Sequence, residues 1–169
     1  MSESRRAPRN AKDAPQTQAA PPVKAVLQRV KEAYVTVEGR TVGEIGKGLL
    51  VLVAIGAGDT VRDIDWMVEK IVNVRIFETP EGKLDKSVLD VRGALLLVSR
   101  FTLYGDCKRG RRPSFSDAMD ADAAAEMFKL FTAHAAEKVK KVETGVFRAS
   151  MDVHLVNDGP VTLILDSRA

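Results

Sequence analysis

Gly46-Lys47-Gly48-Leu49-Leu50-Val51-Leu52-Val53-Ala54-Ile55 is the stretch on which the fold turns. Two glycines flank a lysine in a tight turn, and the apolar run that follows is strand length, far short of the roughly 18 residues a membrane helix needs. A strand without polar alternation is one buried on both faces. Upstream, residues 23–30, 33–37 and 41–45 are short β-favouring runs, and Glu38-Gly39-Arg40 is a hairpin-sized break. Four strands are therefore expected before any helix. Downstream, residues 63–74 set Ile64, Met67, Val68, Ile71 and Val74 at helical spacing, with Asp59 or Thr60 as the N-cap.

The second half repeats these proportions. Residues 94–98 read as a strand and residues 121–139 as a helix with Met127, Leu130, Phe131 and His134 on one side. Residues 153–156 and 161–165 read as strands. The expected architecture is an α+β domain: an antiparallel, strongly curved, barrel-like sheet with two main helices outside it.

With 169 residues and 45% apolar content, the chain has the size and composition of one ordinary domain. Residues 1–22, rich in Ala, Pro, Arg and Gln, have no large apolar side chain after Met1 and cannot offset their ordering entropy. They are expected to form a disordered tail, leaving residues 23–169 as the domain. The tail also lacks the apolar segment of a secretory signal. Cys107 is the only cysteine, so no intramolecular disulfide can form; a reducing compartment, the cytoplasm, is expected. Four basic and two acidic residues give the tail +2 of the net +3, so the domain carries only +1. That total argues for no general electrostatic grip on nucleic acid. Lys108, Arg109, Arg111 and Arg112 nevertheless make a local basic patch, open to reading as a solvated loop or as a phosphate contact.

Several catalytic constellations can be set aside. His134 and His154 stand in no HExxH or Ser-His-Asp context, and one cysteine cannot make a thiolate zinc cluster, so neither metal nor cofactor is expected. Gly43, Gly46 and Gly48 form no phosphate-binding loop and join strand to strand. Any hydrolysis must then rest on positioning, amide dipoles and the substrate's own groups.

Two segments stand out. At Ser99-Arg100-Phe101-Thr102-Leu103 an apolar strand ends in hydroxyls and an aromatic ring, then runs on to the basic loop; this is either a turn satisfied by its own side chains or the wall of a site. Asn157-Asp158-Gly159-Pro160-Val161-Thr162 holds a Gly-Pro step that is either a plain turn or a place where backbone comes close to a ligand.

Taken together, the two segments are specific. Ser-Arg-Phe-Thr-Leu resembles the Ser-Gln-Phe-Thr-Leu motif of D-aminoacyl-tRNA deacylases, and residues 157–162 resemble their Asn-x-Gly-Pro-Val-Thr motif without departure. The similarity spans residues 23–167. It takes in Ala25-Val26-Leu27-Gln28-Arg29-Val30, Gly43-Glu44-Ile45-Gly46, Arg109 through Ser116, and Thr144-Gly145-Val146-Phe147 with Met151.

The resemblance implies a homodimer with its sites at the subunit interface and hydrolysis of the ester between a D-amino acid and the 3′-terminal adenosine of tRNA. Glycine carried by tRNA(Ala) would be a further substrate, and neither DNA nor a membrane is an expected partner. By the same matching, Ser99, Phe101 and Thr102 line the catalytic pocket, and a cis Gly159-Pro160 step enters the partner's site to select chirality. Arg29 supports that loop, Phe147 and Met151 flank the adenine, and Arg100 stands where the family usually has glutamine. A rigid carbonyl wall against Cα would exclude L residues by collision while sparing D residues and glycine. A non-catalytic RNA-binding barrel would instead expect aromatics stacked along its strands, and this chain has only Trp66, two tyrosines and six phenylalanines. A generic Ser/Thr esterase would need a partner base.

Overall fold

The apolar run after Lys47 forms β3 (Gly48–Ala54), and its side chains alternate between two apolar layers. In the computed structural model, which describes residues 22–168, Leu49, Val51 and Val53 join one core cluster with helix residues Ile64, Met67, Ile71 and Phe131. Leu50 joins a second cluster with Val35, Ile45, Leu96 and Val98, on the other face of the sheet. Both faces are buried, which is why the sequence there carries no polar alternation.

Around it lie β1 (Lys24–Val37), β2 (Arg40–Ile45), α1 (Val61–Asn73), the short hairpin β4 (Phe77–Glu78) and β5 (Leu84–Lys86), then β6 (Ala94–Ser99). A 3-10 turn (Phe101–Tyr104), α2 (Ala121–Lys138), β7 (Val142–Thr144) and β8 (Asp152–Asp166) complete the described chain. The main sheet runs β2-β1-β3-β6-β7, with β8 on the remaining edge of β1. The sheet is mixed rather than antiparallel: β3 pairs β6, and β6 pairs β7, in parallel. Each of these strands is separated from the next by a helix, and a crossover of that kind returns the chain in the same direction. At Gly43 a Cβ would lie 2.5 Å from the Thr144 carbonyl oxygen; glycine therefore lets β2 approach β7 and nearly closes the barrel.

Three strands, not four, precede the first helix, because residues 23–37 form one long strand. The exposed pair Lys31 and Glu32 breaks the pattern in the sequence; in the fold β1 pairs β3 through Val30 and β2 from Ala33 onward. α1 starts at Thr60, whose N–H donates to Asp63 Oδ2 at 2.9 Å. On α2 the buried side is Phe128, Phe131 and Ala135, whereas Met127, Leu130 and His134 are half-buried at its margin. The expected tail lies outside the described residues, apart from Pro22.

Candidate active site

Strand β6 is apolar up to Val98 and changes character where the sheet ends. Arg100 N–H donates to the Val53 carbonyl at 2.7 Å, the last tie to β3, and the chain then tightens into the 3-10 turn. That turn sinks Tyr104 into the protein and leaves Phe101 57% exposed, with its ring edge-on to Phe115 at 5.1 Å between centroids. Together Phe101 and Phe115 leave an apolar surface at the strand end.

Facing it is a cavity of about 410 Å³. Ser99, Arg100, Phe101 and Thr102 form one wall, and Phe147 and Met151 another. Phe147 is held from behind by buried Phe128, 6.2 Å away between ring centroids. Phe115, Met119 and Ala124 complete the apolar surface, and Arg148 joins Arg100 as a second cation on the lining. The lining, among the described residues, contains no His, Lys, Asp or Glu. Phe115 belongs to the block Arg109–Ser116 that carries part of the family resemblance, but nothing in the spacing joined Arg148 to the cavity except its place beside Phe147.

The Gly-Pro segment is built separately. β8 is a single strand, not two strands about a turn: Gln28 pairs Thr162 and Val30 pairs Asn157, so residues 158–161 bulge out opposite Arg29 alone. Arg29 is only 3% exposed and holds the bulge from beneath. Its Nε donates to the Asp158 carbonyl at 3.0 Å, its Nη1 to the Ile76 carbonyl at 2.7 Å, and its Nη2 reaches Glu78 Oε1 at 3.4 Å. Fixed at three points, this guanidinium is a rigid floor. The Gly159-Pro160 peptide bond is cis, and both residues are exposed. Neither they nor Arg29 line the cavity of their own chain, and Lys108, Arg109, Arg111 and Arg112 lie on an exposed loop away from the lining.

Both histidines are engaged away from the cavity. His154 stacks on Tyr34 at 4.3 Å, and His134 pairs with Asp65 on α1. Beneath the 3-10 turn, Asp59 accepts from the Gly56 N–H and from Arg168 Nη2 at 3.0 Å. Burial, outweighing these bonds, pushes the Asp59 carboxyl up to about 6. Burial likewise pushes the Tyr104 hydroxyl up, with Asp59 adding to the effect. Neighbouring Asp63 is pulled the other way: Arg168 and the Thr60 N–H together overcome its own burial and hold it below the usual carboxylate range.

A barrel-like α+β domain with an apolar, cation-lined cavity at a strand end and an arginine-braced Gly-Pro bulge defines the class. A sequence profile described as D-Tyr-tRNA(Tyr) deacylase matches residues 26–166, and the chain belongs to that family. The D-aminoacyl-tRNA deacylase of Desulfitobacterium hafniense is 55% identical over 145 residues, covering 86% of this chain and 97% of that protein. Its counterpart in Clostridium acetobutylicum is 52% identical over 146 residues, covering 86% and 98%. Among solved structures, the c-Myc DNA Unwinding Element Binding Protein superposes with a TM-score of 0.82 at 41% identity, covering 86% of this chain and 99% of that one. A probable eukaryotic D-amino acid tRNA deacylase superposes with a TM-score of 0.75; at 17% identity over the same coverage it shows the fold alone.

Proposed function

We propose that this chain hydrolyses the ester of D-aminoacyl-tRNA, releasing free D-amino acid and tRNA, and that it also clears glycine from tRNA(Ala). The observation that carries the reading is the cavity itself: the Ser99–Thr102 strand end and the Phe147–Met151 segment, distant in sequence, face one another across a space suited to a terminal adenosine and its acyl group. In this reading Phe147 and Met151 flank the adenine, and Ser99, Phe101 and Thr102 hold the acyl end. Arg100 and the exposed Lys108, Arg109, Arg111 and Arg112 meet phosphates of the acceptor stem.

Chirality is read by the Gly159-Pro160 bulge of a second copy. The bulge is exposed, braced by Arg29 and absent from its own cavity, as an element acting in trans would be. Its carbonyls form a wall against Cα that an L side chain strikes and that a D residue or glycine clears. The hydrolytic step is assisted by the ribose 2′-hydroxyl beside the 3′-ester, since the lining holds no general base, and backbone N–H groups near Phe101 and Thr102 stabilise the oxyanion. The partners are the 3′ end of aminoacyl-tRNA and a second protomer, and the setting is the cytoplasm. Incubation with matched D- and L-tyrosyl-tRNA should release D-tyrosine and leave the L ester intact; equal cleavage of both, or binding without turnover, overturns the proposal.

A further inference from the structure

Arg148 has no role in the reaction as described, yet its backbone and its position are both unusual. It is one of only three described non-glycine residues at positive φ, with φ +65°, a conformation that L side chains rarely adopt and that tends to mark ligand sites. Its guanidinium carbon lies 5.8 Å from the centre of the Phe147 ring, and the residue lines the cavity beside it. Its partner is Asp122 Oδ1, 2.8 Å from Nη2, in an ion pair whose side chains are 54% and 89% exposed. So exposed a pair contributes little to stability and does not account for the strained backbone that holds the arginine there. Asp122 engages one terminal nitrogen of a group that carries five N–H donors in a planar fork.

We infer that Arg148 grips the phosphate on the 5′ side of the terminal nucleoside, with the nucleoside itself against Phe147. The inference rests on the nucleoside reading of the cavity. A cation immediately after a base-stacking ring, on a lining whose charged residues are both arginines, selects a phosphorylated nucleoside over a bare one. Asp122 parks the guanidinium when the cavity is empty and opposes the incoming anion, so it tempers the grip.

The test titrates the full chain with adenosine and with adenosine 5′-monophosphate at low ionic strength, following the Met151 methyl resonance. The wild type should bind the monophosphate roughly three- to tenfold more tightly than adenosine. Arg148→Gly and Arg148→Asn, both tolerant of positive φ, should bind the two equally, with adenosine affinity unchanged and Tm no lower than the wild type. Asp122→Asn should tighten monophosphate binding alone. Equal affinities in the wild type, or discrimination that persists in both Arg148 variants, overturns the phosphate grip while sparing the nucleoside reading. Adenosine that leaves Met151 undisturbed overturns the nucleoside reading and the grip with it.

Discussion

Thr102 stands exposed on the 3-10 turn after β6, and a threonine hydroxyl keeps its proton near neutrality unless a base removes it. The cavity lining offers arginines and apolar groups, so Thr102 has nothing to deprotonate it. Thr102→Ala should therefore retain turnover within about tenfold of the wild type, a loss in keeping with lost positioning. A tRNA ending in 2′-deoxyadenosine, its 3′-ester intact, should bind and yet hydrolyse far more slowly. Single-turnover rates for the four combinations of enzyme and substrate separate the roles; a trapped acyl-threonine would reverse them. Gly159 carries a different constraint. Its φ is +123°, and an added Cβ would lie 2.9 Å from Arg29 Nη2, an atom whose guanidinium is tied at Ile76, Glu78 and Asp158 and cannot swing aside. Gly159→Ala should cost on the order of 1–3 kcal/mol of stability from backbone strain. It should also lower D-aminoacyl-tRNA turnover by more than that loss explains, measured at a temperature where circular dichroism shows the variant folded.

At the scale of elements, the start of α1 and the end of β8 are tied by Asp59, Asp63 and Arg168, a cluster in which Asp59 is buried and the two carboxyls respond oppositely to pH. Asp59, with its pKa raised to about 6 from an ordinary 3.8, binds a proton more readily folded than unfolded. Its effect is thus stabilising as pH falls through 6 toward 4, and the gain is complete once the pH is below the unfolded value. Asp63 is held below its ordinary value, so the stability it lends is lost only as pH falls below about 4. From these two groups, melting temperature should hold or rise from pH 7 to about pH 4 and drop only below it. Against Asp59→Asn, which cannot titrate, the wild type should gain about 1 kcal/mol between pH 7 and pH 5. Parallel melting curves for the two proteins at pH 5 and pH 7 would show that burial at Asp59 is not setting its proton affinity. This cluster was out of reach of the sequence, because Asp59, Asp63, Tyr104 and Arg168 share no local pattern. Helix α1, by contrast, could be read from one face of apolar residues and a cap. The parallel pairing of β3 with β6 left a trace in the two unbroken apolar runs, each followed by a helix, but strand direction is decided by the crossover and not by composition. The bulge at residues 158–161 left none beyond Gly-Pro itself, since the register that creates it depends on Arg29, far away in the chain.

For the whole molecule, the cavity and the Gly-Pro bulge lie apart within one chain, and the bulge belongs to an edge strand with Val156 45% and Ile164 78% exposed. An edge strand with uncovered β-branched residues favours a partner across it, and a two-fold arrangement would deliver each bulge to the other copy's cavity. This assembly can be tested by complementation. One variant, Gly159→Arg, keeps its cavity and spoils its bulge; another, Phe147→Glu, keeps its bulge and spoils its cavity by setting a carboxylate where the nucleoside should stack. Each should be close to inactive alone. Mixed in equal amounts and allowed to exchange, half of the dimers would be hybrids, and each hybrid would have one site with both halves intact. Activity should then return to about a quarter of the wild-type value. It should appear with the kinetics of subunit exchange and fade on dilution below the dimer dissociation constant. If each site were complete within one chain, the mixture would stay as inactive as its components, however long it exchanged.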